Sequence, residues 1–137
     1  MSRENVEVVR SLFEAFRRQD VSAAIGYLDP AVEWCENPRG GFGDLRSVYH
    51  GHAGFRDWVA HVGEAWEEAW AEPEEFIDGT GSRVICAYRL HARGRESEVP
   101  VVSQTMYDLY TVRDGKIVER RLYGVRRQAL EAVGLRE

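Results

Sequence analysis

The chain has 137 residues, 44% hydrophobic and 30% charged, with a formal charge of −5 from 18 Lys plus Arg against 23 Asp plus Glu. That is enough chain for one domain with its own core, and the composition excludes a disordered or membrane-spanning chain. The acidic excess argues against a nucleic-acid partner, and Arg120-Arg121 does not reverse this, because strand alternation sends the two side chains to opposite faces.

The opening Met1-Ser2-Arg3-Glu4-Asn5 leads into a mixed helix pattern rather than the apolar stretch of a secretory signal. No run approaches the roughly 18 apolar residues of a membrane span. A single domain over residues 1–137, cytoplasmic and with no membrane partner, is therefore expected. From Ser2 to Arg18, Val6, Val9, Phe13 and Phe16 recur at helical spacing, with Leu12 widening the stripe. Asp20 is placed to cap a second short helix carrying Ala23, Ala24, Tyr27 and Leu28, which Asp29-Pro30 stops. Ala31 to Cys35 reads as a strand, and a loop with Pro38, Gly40, Gly41 and Gly43 follows. That loop lacks the lysine and the strand-to-helix setting of a nucleotide-binding motif.

Past Gly51 a third helix carries Phe55, Trp58, Val59, Val62 and Trp66 on one side and ends before Pro73. The remainder is strand-like: 74–78, Arg83 to Ala92, Ser97 to Thr111 and Lys116 to Tyr123, with glycine turns at Gly79-Thr80-Gly81, Arg93-Gly94 and Asp114-Gly115. A short helix with Ala129, Leu130 and Val133 follows, and Gly134 is placed to end it. This order predicts an α+β fold, a curved antiparallel sheet wrapped around N-terminal helices with an internal pocket, helices over one face only. In the long strand neither parity is uniformly polar, which suits a sheet with one core-facing and one subunit-facing side, so a homodimer through the outer sheet face is expected.

Cys35 and Cys86 are too few for a disulfide framework. Neither has a second Cys or His at metal-ligand spacing, and His50, His52, His61 and His91 form no ligand pair, so no metal site and no cofactor are expected.

The phrases Glu4-Asn5 before Val6, Val9 and Phe13, then Leu28-Asp29-Pro30-Ala31-Val32-Glu33-Trp34, Tyr49-His50-Gly51-His52, Asp114-Gly115-Lys116-Ile117-Val118 and Ala129-Leu130-Glu131-Ala132-Val133-Gly134-Leu135 occur in an order that resembles the nuclear transport factor 2 superfamily, in its SnoaL-like branch. The resemblance covers nearly the whole chain. It implies a cone-like α+β barrel with a pocket, usually dimeric, in a superfamily that includes ketosteroid isomerases, limonene epoxide hydrolases, polyketide cyclases, dehydratases and accessory binding domains. A shared fold leaves the chemistry open.

Residue by residue, the resemblance removes several familiar groups. The isomerase base position falls at Trp34, whose indole does not abstract a carbon-bound proton. The first-helix tyrosine falls at Leu12, and a late-strand acid common in SnoaL-like relatives falls at Gly124. The oxyanion aspartate falls at Tyr107, where a phenol can replace a protonated carboxyl as donor; Asp108 would then face the outer surface, and a one-residue register slip would exchange the two. On the last strand, alternation places Val118, Arg120 and Leu122 inward, so Arg120 needs a carboxylate partner or an anionic ligand if it lies within the pocket. An epoxide hydrolase would need two carboxylates around an arginine, and no Asp-x-Arg-x-Asp run exists here.

The candidate catalytic residues are thus Tyr107, Arg120, His52 and Glu36, with His52 alternatively steadying the entrance of the third helix. The candidate ligand-binding set is Trp34, Phe55, Trp58, Tyr88, Tyr107 and Arg120. The favoured reading is a SnoaL-like protein binding a small hydrophobic or polyketide-like molecule. The alternatives are an isomerase, cyclase or dehydratase/hydratase acting on such a compound, and a structural dimerisation or accessory domain.

Overall fold

The computed structural model describes residues 2–36, 48–94 and 102–135. The expected glycine-rich loop after Cys35 lies outside them, as do residues 97–101 of the expected long strand.

Helix α1 (Ser2–Arg17) buries Val9, Leu12, Phe13 and Ala15, the face that its apolar spacing specifies. Its opposite face carries the exposed pairs Arg10–Glu7 and Arg17–Glu14, whose attraction is largely screened by water. Asp20 caps α2 (Val21–Ile25) by accepting from the Ala23 amide at 3.0 Å. Strand β1 (Leu28–Cys35) contains Pro30, which is tolerated because it falls in an irregular stretch between the Leu28–Ile117 and Glu33–Glu119 pairs, where no ladder bond is required of it.

A three-residue strand β2 (Val48–His50), not evident from the sequence, leads to Gly51. There φ is +69° and an added Cβ would stand 3.0 Å from the Pro30 carbonyl oxygen, so glycine is needed to turn the chain into α3 (Gly51–Ala65).

Strand β3 (Trp66–Asp78) begins directly after α3, eight residues earlier than the sequence pattern suggests. Helical continuation to Pro73 loses to pairing with β4 (Arg83–Gly94), which offers partners from Gly94 back to Val84 along the whole of β3. Pro73 sits beside an irregularity on this edge strand, where a missing amide is tolerated. Strands β5 (Val102–Arg113) and β6 (Lys116–Tyr123) are joined by Asp114 and Gly115, both at positive φ, the geometry of a tight hairpin. Helix α4 (Arg126–Ala132) is followed by Gly134 at φ +78°.

The six strands run in the order β2-β1-β6-β5-β4-β3. The expected α+β architecture is present, with one difference in detail: β1 and β6 pair in parallel, so the sheet is mixed. On one side α1 lies against β3 to β6 and α3 against β1 and β2. Val9, Leu12, Phe13, Trp34, Phe55, Tyr88 and Tyr110 form the main core between helices and sheet.

Helices do not keep to one face. Ile85 and Leu109 point away from the main core and pack with Ala129 and Leu130 of α4 and with Val133 just after it in a second cluster. This explains why neither parity of β5 reads as polar: both sides of that strand are covered by helix at one end. Among the described residues no helix is long and apolar enough to cross a membrane.

Candidate functional site

Alternation on β4 sends Val84, Cys86 and Tyr88 into the main core, and on β5 it sends Met106, Asp108, Tyr110 and Val112 there. Asp108, not Tyr107, therefore occupies the inward position. Tyr107 pairs with Ala87 and Tyr123 and packs with the α4 cluster on the opposite face, which corrects its expected place in the pocket. On β6 the inward residues are Ile117, Arg120 and Leu122, because a register shift opposite Thr111–Val112 breaks simple alternation; Val118 is not one of them.

Arg120 is 2% exposed and bridges two carboxylates from separate elements. Its Nη1 donates to Glu36 Oε1 at 2.6 Å and to the Cys35 carbonyl at 3.3 Å, and its Nη2 lies 3.1 Å from Asp108 Oδ1. The guanidinium also stands over the Trp34 ring at 4.8 Å and the Trp58 ring at 5.5 Å. Trp58 Nε1 donates to the same Glu36 Oε1 at 2.6 Å. Asp108 receives the Tyr88 hydroxyl on Oδ1 at 2.9 Å and the Tyr110 hydroxyl on Oδ2 at 2.7 Å.

Two carboxylates thus flank one arginine in space although no such run exists in the sequence.

The electrostatics follow from burial. Desolvation raises the Asp108 carboxyl above its ordinary value, against the opposing pull of Arg120 and the two phenols. Burial alone would lower Arg120, yet Asp108 and Glu36 hold it well above the usual guanidinium range. Burial, reinforced by the Asp108 charge, keeps Tyr88 and Tyr110 far above an ordinary phenol, so both remain hydrogen donors. Glu36 Oε2, Arg120 Nε and Trp34 Nε1 are buried without hydrogen-bond partners among the described residues.

A cavity of about 690 Å³ opens between α1, α2, α3 and the concave side of the sheet. Phe13, Phe16, Phe55 and Trp58 form much of its wall, and Tyr88, Asp108 and Arg120 contribute buried polar side chains to it. Of the sequence-derived ligand set, Phe55, Trp58, Tyr88 and Arg120 line this cavity. Trp34 is fully buried one layer behind, 4.9 Å from the Phe55 ring centre and 5.0 Å from that of Trp58. Glu36 likewise acts from behind the wall, through Arg120 and Trp58. His52 holds the Leu28 carbonyl at 2.9 Å through Nε2 and ties α3 to β1, away from the cavity lining.

Asp108 and Tyr110 are the residues that sequence reasoning missed. The available signal was a lone carboxylate on the more apolar parity of β5. On the outer sheet surface, Glu33, Cys35 and Glu119 bring donor atoms within 4.8 Å of one another, a juxtaposition of two strands that local spacing does not reveal. Arg121 pairs with Glu119 there at 3.2 Å.

The sequence profile of the SnoaL-like domain matches residues 9–120. The chain belongs to the SnoaL-like family. No curated protein matches it in sequence. Its fold is similar to that of TerC, crystallised with polyporic acid, at 24% identity and a TM-score of 0.80 over 95% of this chain and 97% of TerC. An NTF2-like protein of unknown function from Burkholderia pseudomallei is similar at 21% identity and a TM-score of 0.79, covering 96% of this chain and 98% of its own. A hypothetical protein with a ketosteroid-isomerase-like fold from Catenulispora acidiphila, solved with trimethylamine, is similar at 15% identity and a TM-score of 0.72, covering 94% of this chain and 93% of its own. In this SnoaL-like chain Trp34, Leu12 and Gly124 supply no acid or phenol, and the buried ionisable groups gather around Arg120.

Proposed function

We propose that the protein binds a small, largely apolar molecule in the cavity between α1–α3 and the sheet. The observation that carries this reading is the cavity itself: about 690 Å³, aromatic along its wall and provided with buried polar atoms from Tyr88, Asp108 and Arg120. That the related TerC was crystallised with a small molecule supports it. The test uses N-phenyl-1-naphthylamine, an uncharged dye that brightens in apolar surroundings. One dye per chain is expected to bind, and Gly63→Trp, at a lining position where an added Cβ meets nothing within 4 Å, is expected to exclude it. Dye binding unchanged by both Gly63→Trp and Trp58→Ala would place the dye elsewhere and sink the reading.

A catalytic reading is favoured by one further observation, a cavity-lining carboxyl whose affinity for a proton is raised by burial and which two phenols orient. In that reading Asp108 moves a proton during isomerisation, cyclisation, dehydration or hydration of the bound compound. Arg120 and Glu36 fix its position and charge. Tyr107 and His52 are not carried forward, since one packs under α4 and the other tethers α3. Turnover that survives Asp108→Asn would exclude this role. The same outer sheet face that carries Trp70, 47% exposed and stacked on His91 at 4.9 Å, is proposed as a homodimer surface. Sedimentation equilibrium should give twice the chain mass, and Trp70→Glu should halve it.

A further inference from the structure

The charges around the cavity are one-sided. Among the described residues its lining includes the acids Asp20, Glu67, Glu68 and Asp108 but a single base, Arg120. That base is already spent: Nη1 serves Glu36 and the Cys35 carbonyl, and Nη2 serves Asp108, so the buried group of Glu36, Arg120 and Asp108 carries one more acid than base. At the mouth, Glu68 is met by Arg93 at 3.8 Å, and Asp20 accepts from the Ala23 amide. Glu67 is exposed and has no ion pair among the described residues.

An anionic ligand reaching Arg120 would therefore meet two carboxylates already on it. A ligand cation would instead meet carboxylates and the partly exposed aromatic rings of Phe16 and Trp58, and an aromatic face attracts positive charge.

We infer that the ligand of this cavity is an organic cation: an amine or quaternary ammonium carried on an apolar body. The inference rests on the binding reading above and adds the ligand's charge. Three probes separate charge from apolar body: benzyltrimethylammonium, its uncharged carbon isostere neopentylbenzene, and the smaller anion phenylacetate. Each is titrated into the wild-type protein, with calorimetry and tryptophan fluorescence as readouts. The cation should bind about tenfold more tightly than the isostere, and the anion more weakly than either. Added salt should narrow the gap between cation and isostere.

Asp108→Asn should remove most of the preference. Should that variant fail to fold, Glu67→Gln at the exposed rim should still reduce it about two- to threefold, in keeping with a partly screened surface charge. An isostere or anion that binds as tightly as the cation overturns the cation inference and leaves the binding reading standing. A cation preference unchanged in every folded variant also overturns it. Failure of all three probes to bind, together with failure of the uncharged dye, sinks both.

Discussion

Replacing Arg120 by methionine is expected to destabilise the fold by about 3–5 kcal/mol, the range for breaking a buried ion pair from one side. Methionine fills much of the volume of the arginine stem, so the loss is chiefly electrostatic. Asp108 and Glu36 side chains are only 4% and 2% exposed, and each would be left charged with almost no contact with water. Their remaining donors, Tyr88 and Tyr110 on Asp108 and Trp58 on Glu36, soften but do not cancel that cost. The stacking of the guanidinium over Trp34 and Trp58 is lost as well.

Urea unfolding at neutral pH measures the difference. The triple variant Arg120→Met, Asp108→Asn, Glu36→Gln should recover most of the loss, because buried ion pairs are often replaceable as a set although not singly. The sign of the pH effect follows. Without the lowering pull of Arg120 the Asp108 carboxyl holds its proton more tightly in the folded state than in the wild type, so the single variant gains on the wild type as pH falls. A loss below about 1 kcal/mol at neutral pH, or a gap that widens toward acid, would refute the argument that the group is dry and mutually dependent.

Trp58→Phe keeps a ring in the cavity wall but removes the 2.6 Å donor to Glu36, and should cost about 1.5–3 kcal/mol in urea unfolding, as for a hydrogen bond to a charged group. Gly51→Ala must place a side chain at φ +69° and 3.0 Å from the Pro30 oxygen, so a loss of about 1–2 kcal/mol is expected by the same assay. The Asp108 carboxyl is raised above its ordinary 3.8, so its contribution favours the folded state below that value and is lost as pH rises through the raised value. Melting temperatures of the wild type should therefore show a downward step over this interval that Asp108→Asn lacks. Burial raises both thiols, Cys86 more than Cys35. Iodoacetamide at neutral pH should label Cys35 slowly and Cys86 only on unfolding, as read by mass spectrometry.

Much of the architecture was legible because local signals agreed with the global answer. The stripe of α1, the Asp20 cap and the Asp114-Gly115 hairpin each had one reading, and each occurs. The strand Trp66–Pro73 was not legible, since Trp66, Ala69 and Trp70 also fit a continuing helix. Only the partner strand β4, distant in sequence, decides between them. The outer cluster beneath α4 was hidden for a similar reason: Ile85 and Leu109 look like misplaced core until a helix from the far end of the chain covers them.

The site was half legible, and the missing half turns on register. Asp108 and Arg120 are misfits of opposite sign on otherwise apolar strand faces, and buried charges require partners. The hairpin at Asp114-Gly115 already brings their strands together. Continued from the Arg113–Lys116 pair without a shift, however, the ladder would set Tyr110 opposite Glu119. The irregularity between Thr111 and Val112 moves Arg120 opposite Tyr110 and onto the face of Asp108. One extra residue on β6 therefore exchanges a half-buried glutamate partner for a buried arginine. Glu36 then completes the group from the end of β1, because the parallel pairing sets Trp34 beside Arg120 and directs the next turn of chain over the guanidinium. Neither the shift nor the parallel contact has a local motif, so the acid–arginine–acid arrangement is written in the sequence only as three unpaired charges whose meeting depends on the folded sheet.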